Sequence, residues 1–375
     1  MKNEKNIEKI NRNNTKFNWP LVGNEHIINY LSRSVLNKKV TDSYIFLGPE
    51  DLGKTTVASE LAKILLCNSY IKYVNNNEIT EVLPCGQCPS CLQFNKKIKP
   101  LNLISSETNT GEGSEIAHGD FHILKREKDK KNISIEQIRN FIRALSLSSF
   151  LGFYKIGIIK GADYLSQEAA NALLKTLEEP NDKVVIILIA TNLEVLPKTI
   201  ISRSQVLNFY PVKADLIYDY LIKEYKISRS LAKNLSRLSL GRPALAIKFL
   251  EDKDFYNNYF DRVKAFTNFF NQDINERIKE LEKIIGVRSS GQESAKLAIR
   301  IIDTWQGLIR DLILLKQGEV NLVQHQVILE DLRNLKDRVR LDKLITMINN
   351  LALSKEYIKA NVSSKLVFEN FIVNI

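Results

Sequence analysis

"YIFLGPEDLGKTTVASELAKILL", Tyr44 to Leu66, decides the fold. Tyr44–Leu47 is a short apolar run that reads as a buried strand. Gly48-x-x-x-x-Gly53-Lys54-Thr55 follows at once, with the full spacing of a phosphate-binding loop. Thr56–Leu66 then continues as a helix, so the motif stands in the strand–loop–helix context it requires. Backbone N–H groups between Gly48 and Gly53, and those of the helix N-terminus, would cradle phosphate oxygens. Lys54 would reach the β- and γ-phosphates, and the Thr55 hydroxyl, next to Thr56, would ligate Mg²⁺. The bland alternative is a glycine-rich turn that holds no nucleotide. Even a working loop only holds phosphates; hydrolysis also needs a metal-ligating carboxylate and a group that activates water.

Outward from this stretch, strand-like runs alternate with helical patterns from about residue 17 to 212. The predicted strands are Tyr44–Leu47, Asn102–Ser105, Lys155–Ile159 and "VVIILIA", Val184–Ala190. Their interleaving with helices implies a parallel sheet with helices on both faces. Residues 1–16, rich in Asn and Lys, read as a disordered extension. The polar, charged stretch 106–132 reads as a loop. After 212 the strands stop. Short helices follow, with a break at Gly241-Arg242-Pro243, and from about 263 the pattern is helical to the end. There is no coiled-coil register and no internal repeat.

The 375 residues suffice for two or three domains. Val184–Ala190 is far too short to cross a bilayer. The opening "MKNEKNIEKINRNN" is polar and lacks the apolar core of a signal peptide, so a cytoplasmic protein without membrane contact is expected. The net charge of +11 fits either a lysine-rich solvated surface or contact with a polyanion such as DNA.

Four cysteines fall close together: Cys67, then Cys85, Cys88 and Cys91 in "CGQCPSC". In a cytosolic protein such CxxC spacing points to metal or redox chemistry rather than to disulfides. Four thiolates suit a tetrahedral Zn²⁺ with no open position, hence a structural site. Cys67 ends the phosphate-loop helix, so the metal would pin a small module, residues 67–100, to it. An iron–sulfur cluster and unligated thiols are the alternatives.

"SQEAANALLKTLEEP", Ser166–Pro180, is on pattern alone an amphipathic helix with Ser166 as N-cap and Ala169, Ala170, Leu173, Leu174 and Leu177 on one face. Together with the phosphate loop and the cysteines, however, this string resembles the AAA+ clamp-loader subunits of bacterial DNA polymerase III, gamma/tau and delta-prime. "ISIEQIRNF" (Ile133–Phe141), "ATN" (Ala190–Asn192), "LPKTIISRSQVLNFYP" (Leu196–Pro211) and "NVSSKLVFENFIV" (Asn361–Val373) match the family in order. The resemblance spans about residues 17–375. It implies an α/β AAA+ P-loop domain (17–212) carrying the zinc module. A helical lid (213–262) and a helical collar for oligomerisation (263–375) would follow. It also implies Asn192 as the polar sensor residue near the nucleotide, and Arg203 of Ser202-Arg203-Ser204 as an arginine finger acting in trans on a neighbour's ATP. Ser204 replaces the family's Cys, which leaves the arginine's charge intact.

The family's catalytic strand ends in two acids, one holding Mg²⁺ and one polarising water. Here Lys160 and Gly161 occupy those places. A lysine has the wrong charge for Mg²⁺ and a glycine cannot act as a base. Asp163 is a weak substitute, placed near a helix start where Asp is favoured for other reasons. The second sensor arginine is also missing: Ala244 takes its place, with Arg242 two residues early. The resemblance therefore favours delta-prime, a stator that binds ATP or ADP with Mg²⁺ without hydrolysing it. Such a stator would assemble with gamma/tau and delta subunits to load the sliding clamp on primer-template DNA. The rivals are an ATP-hydrolysing gamma/tau-like subunit and a DNA-repair AAA+ ATPase outside the replisome.

Overall fold

Val184–Ala190 is buried along its whole length and lies in the middle of a sheet. Both faces of such a strand must be covered, which explains an unbroken apolar run where a one-sided strand would alternate. The computed structural model describes residues 16–76, 82–95, 114–127, 130–147, 149, 154–179, 183–285 and 292–375. The predicted strand Asn102–Ser105 and nearly all of the predicted extension lie outside the described residues.

The chain divides into two compact units: residues up to Val212 with Arg242–Ala244, and Lys213–Gly241 with Leu245–Ile375. The first contains β1 (Lys16–Phe17), α1 (Glu25–Leu36), β2 (Ser43–Leu47), α2 (Lys54–Leu65), α3 (Asn68–Asn76) and β3 (Val82–Leu83). β4 (Ser114–His118), β5 (Phe121–Lys125), α4 (Ile135–Ser146), β6 (Lys155–Lys160), α5 (Gln167–Glu178) and β7 (Val184–Ala190) follow. α6 (Lys198–Ile201) and β8 (Gln205–Asn208) complete it. Among the described residues, six strands form one sheet in the order β4-β5-β6-β7-β2-β8, with only the β4–β5 pair antiparallel. Alternate residues of the central strands sort into two cores. Tyr44, Phe46, Ile156, Ile158, Val185 and Ile187 meet α1 and α2 on one face. Ile45, Ile159, Ile186 and Leu188 meet α4 and α5 on the other. This is the expected α/β domain, a mostly parallel sheet with helices on both faces and the phosphate loop at the end of β2.

One expectation is overturned. The stretch 106–132 is not a loop throughout, because it contains the β4–β5 hairpin, and β5 extends the parallel sheet beside β6. Its charged residues obscured a strand whose Phe121, Ile123 and Leu124 are buried. The tight Gly119-Asp120 turn between His118 and Phe121 was the available signal.

The second unit is helical. α7 (Ala214–Tyr225), α8 (Arg229–Leu238), α9 (Pro243–Glu251) and α10 (Lys253–Phe269) lead to α11 (Ile274–Ile285) and α12 (Gln292–Lys316). α13 (Leu329–Lys336), α14 (Leu341–Lys359) and α15 (Ser364–Val373) end it. α9 begins within the first unit's Arg242–Ala244 piece. Trp305 packs among Phe266, Phe269, Phe368 and Phe371. A buried polar chain runs from Asp311 through His325 (2.7 Å) to the Tyr259 hydroxyl (2.6 Å), while Gln324 donates to the Leu238 carbonyl (3.1 Å). Buried polar groups are satisfied in this way, and here they tie α8, α10 and α12 together. The predicted lid–collar boundary at 262/263 falls inside the continuous helix α10. No described helix is long and apolar enough to cross a membrane.

Candidate functional site

The carboxyl ends of three adjacent strands make one edge. Leu47 at the end of β2 pairs with Ala190 at the end of β7, and Lys160 at the end of β6 pairs with Ile189. The phosphate loop, Thr191-Asn192 and Lys160-Gly161 therefore leave the sheet side by side, where open α/β sheets bind ligands.

Gly48 is held on both sides of its strand. Its N–H donates to the Ala190 carbonyl (3.2 Å), and a Cβ there would run into the Phe209 carbonyl. Its φ of +142° also excludes an ordinary side chain. Lys54 opens α2 and is only 6% exposed. Its ammonium donates to the carbonyls of Gly48 and Pro49. Burial pulls Lys54 down to about 8, against the upward pull of Glu50, Asp163 and Asp51. Two of those three acids lie in the loop itself, an electrostatic feature the motif pattern does not convey. Thr55 and Thr56 occupy the next turn, half-buried.

β6 ends in Lys160, where the resemblance leads one to expect an acid. Strand alternation puts it on the face of Ile156 and Ile158, the face against α2. Gly161 has φ +71°, and a Cβ there would sit 2.9 Å from the Tyr164 ring. Backbone geometry thus favours a glycine at this position. Asp163 is fully engaged in structure: it accepts from Thr191 N (2.8 Å), Thr191 Oγ1 (3.0 Å) and Asn192 N (3.0 Å). It sits in the first turn of the 3₁₀ helix Ala162–Tyr164, near a helix start as the sequence suggested, and it also anchors the turn that carries Asn192. The Asn192 side chain is exposed and accepts from Glu194 N (2.9 Å).

Arg203 lies on the same unit, after α6. Its Nη1 donates to the Thr199 carbonyl (3.0 Å) and Ser202 Oγ (3.3 Å), and its Nη2 meets Glu178 Oε1 at 2.8 Å. The Glu178 contact was not anticipated, and no local sequence pattern joins the two positions. Ser204 Oγ lies 2.7 Å from Ser43 Oγ, so the hydroxyl in place of a thiol has a partner.

At the other end of α2 the four cysteines converge. Their Sγ atoms all lie within 4.8 Å of one another. Cys85 N–H points at Cys67 Sγ (3.3 Å), Cys88 N–H at Cys85 Sγ (3.4 Å) and Cys91 N–H at Cys88 Sγ (3.4 Å). Four thiolates around one tetrahedral ion at about 2.3 Å stand roughly 3.8 Å apart, so a modest contraction would close the site. A multi-iron cluster fits less well, because its four thiolates are divided among two or four irons and cannot all stand as close together as around a single ion. The Cys91 thiol, hydrogen-bonded to Cys67, holds Cys67 down at about 4 and is itself pushed up. The β1–β3 pair and buried Leu83 and Phe94 pack the module onto the domain core.

A family model described as "DNA polymerase III, delta subunit" matches residues 23–213, just over half of the chain. The DNA polymerase III subunit tau of Bacillus subtilis is 26% identical over 95% of this chain and 60% of its own length. The delta' subunit of the same organism is 28% identical over 64% of this chain and 63% of its own length. The chain thus spans less than two thirds of either relative. Among solved structures, a gamma subunit-related protein of Thermotoga maritima aligns over 92% of this chain and 97% of its own, at 18% identity and a TM-score of 0.44.

Proposed function

The chain belongs to the DNA polymerase III delta subunit family, and on that premise we propose that it is a clamp-loader subunit of the delta-prime kind. It would stand at one end of an arc of gamma/tau and delta subunits that opens the sliding clamp and loads it on primer-template DNA. In this reading residues 213–262 act as the lid and 263–375 as the collar that assembles with sister subunits. The observation that carries the proposal is the nucleotide edge: an intact phosphate loop beside Lys160-Gly161, with Asp163, the acid next along from that strand end, already holding the Asn192 turn. Such an edge would hold phosphates through Gly48–Thr56, while Lys160 and Gly161 at the end of β6 supply no carboxylate for Mg²⁺ and none to polarise water. Arg203 would work in trans, its guanidinium stabilising charge on the terminal phosphate of the neighbour's ATP. Cys67, Cys85, Cys88 and Cys91 would hold one Zn²⁺, which when bound cross-links the module to α2.

A gamma/tau-like motor is the second reading, because tau aligns with 95% of this chain and delta' with 64%. Nucleotide binding and ATPase assays on the isolated chain with Mg²⁺ separate the two. Binding without turnover is expected; turnover by the isolated chain supports the motor. In the reconstituted complex, Arg203→Ala is expected to preserve assembly and lower ATP turnover. Unchanged turnover removes the finger.

A further inference from the structure

Glu178 occupies the last turn of α5, where a carboxylate is disfavoured by the helix dipole. It meets Arg203 Nη2 at 2.8 Å, although the arginine arrives from a different helix. Both hydrogens of Nη1 are directed at Thr199 O and Ser202 Oγ. The guanidinium is thus fixed by its own segment on one side and neutralised by Glu178 on the other. Arg203 remains 35% exposed and Glu178 48%, so the pair sits at the surface, reachable by a neighbouring chain.

We propose that Glu178 is a positioning residue for Arg203, holding it in a neutral resting pair that a neighbour's terminal phosphate displaces. The inference rests on the finger reading above. A phosphate and a carboxylate compete for the same edge of a guanidinium, because both accept from it and repel each other. The phosphate carries more charge and can accept two parallel N–H bonds, so it wins once it arrives. The exchange is cheap because an exposed ion pair is weak and screened by salt. While Glu178 holds it, the finger keeps its rotamer and does not attract other anions. The contacts to Thr199 and Ser202 survive the exchange and keep the guanidinium aimed.

The test uses the reconstituted complex, with kcat and KM for ATP measured for Glu178→Gln, Arg203→Ala and the double variant. Glutamine keeps the shape and removes the competing charge. The expected result is a KM lowered roughly two- to fivefold in Glu178→Gln, the range of a surface ion pair, with a smaller change in kcat. The shift should shrink as salt is raised, and should vanish when Arg203 is already Ala. An unchanged KM in Glu178→Gln overturns the inference while leaving the finger standing. The same KM shift with and without Arg203 also overturns it, since Glu178 would then act on the helix end and not through the arginine. If Arg203→Ala leaves turnover unchanged, the finger fails first and the inference falls with it. Thermal unfolding of each variant chain shows that the comparison is between folded proteins.

Discussion

The two ends of helix α2 carry opposite kinds of site. At its N-terminus, the nucleotide edge is gathered from three strand ends that lie far apart in the sequence, at Gly48, Lys160 and Thr191. At its C-terminus, the cysteine cluster is gathered from Cys67 and one short stretch, Cys85–Cys91. The cluster is complete in itself: four donors of one type converge, and backbone N–H groups already point at three of the sulfurs. The nucleotide edge is a composite from which single parts can be exchanged while the scaffold stays. Its loop is intact, yet β6 ends in a lysine followed by a glycine of positive φ, where the resemblance leads one to expect acids. A local site therefore persists or fails as a unit, whereas a site spread over several strands can lose catalysis and keep binding.

The largest expected effect breaks the cluster side of this comparison. Cys67→Ser removes a buried thiol that, as the proposed zinc ligand, would join the module to α2. Metal analysis of the wild-type chain is expected to give about one zinc per chain, and the variant close to none. Structural zinc in isolated fingers is worth about 10–16 kcal/mol, and a domain with its own core should lose part of that, on the order of 5 kcal/mol. Chelation of the wild-type protein should lower its thermal transition in the same direction. A variant that melts like the wild type would show that the thiols are not ligands.

A smaller effect tests how the nucleotide edge is held. Asp163→Asn keeps the size of the side chain but turns one acceptor oxygen into a donor facing Thr191 N and Asn192 N. Charge-assisted bonds are lost and one donor is left against another donor. Because the site is exposed, the loss should be about 1–2 kcal/mol by chemical denaturation. Amide exchange at Thr191 and Asn192 should rise more than exchange within β7. If Asp163 were a metal ligand instead, this substitution would chiefly abolish Mg²⁺-dependent behaviour and leave those amides protected.

The contrast between the two sites also governs what the sequence could reveal. β2, β6 and β7 were legible because burial on both faces demands unbroken apolar runs, and the cysteines because their spacing is local. β5 was missed because charged residues surround its three buried positions, leaving only the Gly119-Asp120 turn as a signal. The Glu178–Arg203 pair and the engagement of Asp163 by Thr191 and Asn192 depend on how separate elements dock. Neither has a periodicity to read. The acids at 50 and 51 were visible in the sequence, but their pull on Lys54 emerges only once the loop is folded around a buried ammonium.

That buried ammonium yields the smallest effect. Lys54 in the free chain stands at about 8 because burial disfavours its charge. Its unfolded value is the ordinary 10.5, so the unfolded chain binds more protons between about pH 8 and 10.5. In that window this group makes the free protein more stable as pH rises, and below it the burial penalty stands in full. Nucleotide acts in the opposite direction. A phosphate beside Lys54 favours the protonated form, so binding must restore the proton once pH exceeds 8. Affinity for ADP should accordingly be flat from pH 6.5 to 7.5 and then fall, by about tenfold at pH 9. Calorimetry in buffers of different ionisation enthalpy should show proton uptake on binding at pH 8.5 and little at pH 7. Lys54→Arg, which keeps its charge throughout, should bind more weakly at neutral pH but lose this pH dependence. If wild-type binding is independent of pH up to 9.5, the ammonium is not what holds the phosphates; if ADP does not bind at any pH, the loop is the glycine-rich turn that the sequence alone left open.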